Sequence, residues 1–86
     1  MEMLLQMLGS LIERIKATRP TIETVEWYLV NNLLQLKEVA ERSPTQHDFE
    51  NAKRVLSSFI IDSMDWDDPL FKEATTITEQ AKRVNI

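Results

Sequence analysis

The chain predicts an all-α fold, an up-and-down four-helix bundle, and three observations predict it. Apolar residues recur at helical spacing over four separate stretches, approximately 2–17, 21–42, 44–64 and 69–84. The 86 residues contain one Gly and three Pro, too few turn formers for a β-rich domain of this length. The breaks between the stretches are short and carry helix-start signals, so consecutive helices must fold back on each other. Eighty-six residues suit a single domain over 1–86.

In the first stretch, Leu4, Leu8, Leu11, Ile12 and Ile15 form the expected core stripe. Met1, Met3, Leu5 and Met7 widen the apolar arc beyond what a one-sided helix needs. That surplus reads either as core lining or as an adaptable contact surface, because unbranched Met side chains repack readily. Gly9, in mid-helix, costs about 1 kcal/mol relative to Ala. Thr18-Arg19-Pro20-Thr21 then breaks the chain: a residue before Pro disfavours helix, while Pro suits a first turn.

The second stretch is the centre of the pattern. Ile22, Val25, Leu29, Leu33, Leu36 and Ala40 make one stripe, widened by Tyr28 and Val39, with Thr21 or Thr18 as the expected cap. Trp27, Val30 and Leu34 form a second stripe at i, i+3, i+7. A surface helix needs only one such stripe, so the second asks for cover from another helix or from a second molecule. Asn31 and Asn32, at mid-helix, are expected to be half-buried and hydrogen-bonded.

Ser43-Pro44-Thr45-Gln46 predicts a capping box, with Ser43 as N-cap, Pro44 at N1 and Gln46 at N3. Phe49, Ala52, Val55, Leu56, Phe59, Ile60 and Met64 share the expected inner face of the third helix, and Ile61 lies off it. Asp68-Pro69 reads as N-cap and N1 of a fourth helix carrying Leu70, Ala74, Ile77, Ala81 and Val84.

Several function classes are disfavoured by composition. The formal net charge is −4, and the basic residues are scattered rather than clustered, so no direct nucleic-acid binding is expected. No apolar run is long enough for a membrane span, and no Cys is present for a disulfide or thiolate site; cytoplasmic residence is the default expectation. His47 neighbours Asp48 in sequence, but adjacent helix positions do not face each other, so the pair is not a triad. A single Gly excludes a glycine-rich phosphate loop. Asp62, Asp65, Asp67 and Asp68 miss the spacing of a calcium loop, since Met64 and Trp66 fall on ligand positions. The reading is therefore not an enzyme, with no catalytic residues, no metal site and no cofactor.

Residues 10–29, with Arg19-Pro20-Thr21 between two helical stretches, are similar to the N-terminal helical region of translation-initiation exchange-factor subunits and related sugar-phosphate isomerases. The α/β catalytic domain of that family has no counterpart here, and no function is carried over.

What remains is surplus apolar surface. Trp66 among Asp65, Asp67 and Asp68 either plugs the end of the bundle or anchors a basic partner surface. The expected partner-binding residues are Trp27, Val30, Leu34, Met3, Met7, Ile61, Trp66, Asp65 and Asp67. They fit a small non-enzymatic interaction protein (adaptor, inhibitor or regulator) that binds a protein partner and self-associates as a homodimer or higher homo-oligomer. The alternative is a helical ligand-binding module, with an apolar or nucleotide pocket beside Trp27, Tyr28, Asn31 and Asn32.

Overall fold

The computed structural model describes residues 2–42 and 45–84. It contains α1 (Glu2–Ala17), α2 (Val25–Glu41), α3 (Gln46–Ser63) and α4 (Pro69–Lys82), with no strand among the described residues. The helices pack in a ring: α1 on α2, α2 on α3, α3 on α4, and α4 back on α1. The α2–α3 hairpin is the most extensive pairing and the α1–α4 seam the least; neither diagonal pair meets among the described residues. This is the expected four-helix bundle. Its radius of gyration is 12.1 Å, matching the about 12 Å expected of a compact chain of this length.

All five apolar residues of the α1 stripe are buried, at 3% exposure or less. They join Leu29, Leu33 and Leu36 of α2, Phe49, Leu56 and Ile60 of α3, and Ala74, Ile77 and Ala81 of α4 in one core. Each fully buried Leu or Phe contributes about 1.5–3 kcal/mol relative to exposure. The one buried polar residue among those described, Thr78, donates its hydroxyl to the Thr75 carbonyl at 2.7 Å, so burial leaves no unmet hydrogen bond there.

The two stripes of α2 have one explanation. In a ring each helix has two neighbours, so α2 needs two apolar arcs. A Cβ placed on Gly9 of α1 would stand 3.9 Å from Lys37 Cε of α2. Lys37 lies on the same i, i+3, i+7 ridge as Trp27, Val30 and Leu34, so that ridge faces α1. Val30 is 7% exposed and Leu34 packs half-buried against the core. A helix of the same chain thus covers Val30 and Leu34, while Trp27, at the start of the ridge, stays half-buried outside the core.

Where α2 begins differs from expectation. It starts at Val25, four residues after Thr21, and its N-cap is Thr24, whose hydroxyl accepts from Trp27 N–H at 3.3 Å. Thr24 N–H donates to the Thr21 carbonyl at 3.1 Å, closing a turn over Ile22 and Glu23. Glu23 sits in that turn at φ 72°, the position where turns usually take Gly or Asn. Ile22 consequently leaves the predicted stripe and is 70% exposed. Arg19, at the other end of the connection, is also left-handed at φ 50°. Such a conformation costs a non-glycine residue about 1–2 kcal/mol.

The start of α3 is likewise shifted. Ser43 and Pro44 lie outside the described residues. The N-cap is Thr45, whose hydroxyl accepts from Asp48 N–H at 3.2 Å, and the helix opens at Gln46 rather than Pro44. Asp68-Pro69 behaves as predicted: Asp68 Oδ1 accepts from Leu70 N–H at 2.9 Å and Pro69 occupies the first turn of α4. That helix ends at Lys82, two residues short of expectation, though Val84 still packs half-buried on the core.

Candidate interaction surface

Apart from Met3 on α1 and Ile22 in the α1–α2 connection, the large apolar side chains left exposed lie at two places. The first is the α3–α4 corner. Met64, the C-cap of α3, turns to extended backbone (φ −105°, ψ 143°), and its own side chain goes inward, 5% exposed. Met64, not Trp66, fills the end of the core. Asp68 N–H then donates to the Asp65 carbonyl at 3.1 Å, closing a turn with Trp66 and Asp67 at its tip. Trp66 lies over Phe71 with ring centroids 6.3 Å apart and planes 23° apart, and remains 77% exposed. Asp62, Asp65 and Asp67 are exposed beside it, and Ile61, one turn of α3 earlier, is 70% exposed. Among the described residues no group of three or more His, Asp or Glu side chains is arranged to hold a metal ion.

The second place is the outer face of the α2–α3 hairpin. Trp27 meets Tyr28 edge to face at 5.0 Å, and Tyr28 reaches across to Phe59 of α3 at 6.3 Å. Val25 and Val55, each about one helical turn from these rings, are 37% and 43% exposed. Periodicity assigned Val25, Tyr28, Val55 and Phe59 to core stripes. The structure puts them at the border where those stripes run out to solvent. A signal for this exists in the sequence, because Tyr28 widens a stripe that Leu29 and Leu36 already fill.

The predicted partner-binding residues therefore divide. Ile61, Trp66, Asp65 and Asp67 come together in one short stretch, and Met3 is exposed on α1. Trp27 is half-buried at the edge of the aromatic trio. Val30 is in the core, while Leu34 and Met7 are turned toward it, so these three do not offer free surface. α1 supplies the cover for Val30 and Leu34, and Met7 lines the α1–α4 seam.

The side-chain amides of Asn31 and Asn32 each donate to the carbonyl four residues earlier, Trp27 and Tyr28, at 2.9 Å. Their donors are engaged by their own helix rather than aimed at a ligand beside it. Two clefts lie along α1, away from these amides. One of about 360 Å³ runs along the α1–α4 seam past Met7, Ser10 and Thr76. Another of about 610 Å³ lies at the end of the bundle, between Ile15, the 18–24 connection and Leu70. Arg14 of α1 and Glu73 of α4 pair between the two clefts at 2.5 Å, the single ion pair joining two helices among the described residues. His47 is exposed in the first turn of α3. No described helix is long and apolar enough to cross a membrane.

Comparison with known protein families, with curated proteins and with solved structures finds no match to this chain. Its class therefore rests on the fold, a four-helix bundle that keeps large aromatic and aliphatic side chains outside a closed core.

Proposed function

We propose that this chain is a small non-enzymatic interaction protein, an adaptor, inhibitor or regulator that acts by occupying a protein partner's surface, and that it also self-associates. The observation that carries the reading is Trp66: its ring rests on Phe71 yet stays 77% exposed, with Ile61 nearby and Asp65 and Asp67 at its sides. An aromatic anchor bordered by charged groups is the usual composition of an interface centre and its rim. The carboxylates suit a partner with a basic surface around an apolar socket.

The test is comparative capture from the native host's lysate with tagged wild type and with a Trp66→Ser/Ile61→Ser variant. The expected result is a protein retained by the wild type, lost by the variant, and released as salt is raised. Far-ultraviolet circular dichroism of the variant should be unchanged, because neither side chain is in the core. Equal capture by both proteins would overturn the assignment of this surface.

A further inference from the structure

The connection between α1 and α2 sets local preference against the fold. Arg19 is left-handed at φ 50°, although it is not glycine and it precedes Pro20, where extended backbone is favoured. Glu23 is left-handed at φ 72° in a turn position suited to glycine. Pro20, Thr21, Glu23 and Glu26 together read as the start of a helix, with Thr21 as cap, Glu23 in its first turn and Glu26 just beyond it. Yet α2 begins only at Val25, and Ile22, which continues the stripe of Val25, Leu29 and Leu33, is 70% exposed.

One rearrangement removes all of these conflicts. If the connection opens, Arg19 becomes extended before Pro20, Thr21 caps, and residues 22–24 join α2 as helix. In that form α1 leads away from its own α2 and can no longer cover Val30 and Leu34. The same place in another molecule offers the released helix the apolar surface it has left. We propose that two copies of this chain exchange α1 through the opened 18–24 connection. The burial of Leu4, Leu8, Leu11, Ile12 and Ile15 and the Arg14–Glu73 pair then re-form between copies, and only the connection changes. Short connections under backbone strain are the setting in which such exchange is favoured. The inference rests on the self-association part of the reading above and names the second copy as occupant.

The test uses the full chain, refolded at low micromolar and at near-millimolar concentration and separated by size exclusion with light scattering. The chain has no cysteine, so an Arg14→Cys/Glu73→Cys variant places two thiols where the inter-helix ion pair stands. A short bifunctional maleimide should join them within one chain in the monomer fraction. In the dimer fraction it should yield a covalent dimer on a denaturing gel. Arg19→Gly/Glu23→Gly, which removes the penalty of the closed connection, should raise the dimer dissociation constant by at least about tenfold. A dimer whose cross-link stays within one chain would overturn the exchange while leaving self-association standing. A monomer at every concentration after refolding would remove both.

Discussion

Gly9 of α1 faces Lys37 of α2 with room to spare: a methyl group at Gly9 would meet Lys37 Cε at 3.9 Å, ordinary van der Waals contact. The glycine is therefore not required by close helix packing, and it sits mid-helix without a positive φ. Gly9→Ala should stabilise the protein by about 0.5–1 kcal/mol. In a domain of this size that corresponds to a rise in melting temperature of roughly 2–8 °C, read by thermal denaturation.

Leu33 is fully buried where α2 meets the rest of the bundle. Leu33→Ala should cost about 2–5 kcal/mol, the transfer term plus the cavity left behind. Marginal domains hold only about 5–15 kcal/mol in total, so urea denaturation should show a large drop in midpoint. A loss below about 1 kcal/mol would mean that the core around α2 is not packed as described.

Asp68 caps α4 by accepting from Leu70 N–H. Asp68→Ala should cost about 1 kcal/mol, and Asp68→Asn clearly less, since Asn also accepts that bond. Equal losses in the two variants would assign the effect to charge rather than to the cap. The comparison is best made by urea denaturation at fixed salt.

Glu73 is different in kind. Its pair with Arg14 is solvent-exposed on both sides, with side-chain exposures of 59% for Arg14 and 36% for Glu73. Glu73→Gln should therefore change stability by no more than about 0.5–1 kcal/mol, with the difference shrinking as salt is raised. Denaturation at low and high ionic strength reads both effects.

Glu23 provides the backbone counterpart. Glu23→Gly should stabilise the monomer, by up to about 1 kcal/mol, because relief of the left-handed conformation exceeds the added flexibility of the unfolded chain. Denaturation at low micromolar concentration isolates the effect from association. A destabilised variant would show that the turn over Ile22 and Glu23 is not under strain.

Much of this architecture is legible in the sequence, and the exceptions have physical causes. The span of α1, its five core residues and the Asp68-Pro69 start of α4 follow from periodicity and capping chemistry, which are local. The start of α2 does not, because local signals at Thr21 and Glu23 are overridden where the chain must turn back along α1. The cap of α3 is Thr45 although Ser43 carries the same chemistry, because several neighbouring hydroxyls are able to cap and local signals do not choose among them. Periodicity also names the faces of a helix without their width. Tyr28 and Val55 therefore read as core until the spacing of α2 and α3 leaves them at the border. Exposure outside the core was legible only in part. Ile61 and Trp66 stand out from their faces, whereas Val30 and Leu34 look like free surface until α1 is laid beside them.

The ring of helix contacts has a kinetic consequence. Three of its four seams join helices adjacent in sequence, and only α1–α4 closes a long loop. A topology so rich in short-range pairings belongs among the microsecond-to-millisecond folders. The α2–α3 hairpin, with the most extensive seam and a short connection, is the natural nucleus, and closure of α1 on α4 comes last. Rates measured across a denaturant series should then slow folding for Leu33→Ala, and hasten unfolding for truncations along the α1–α4 seam. On that order the α1–α4 seam is expected to be the first to part, and amide exchange should be fastest along it.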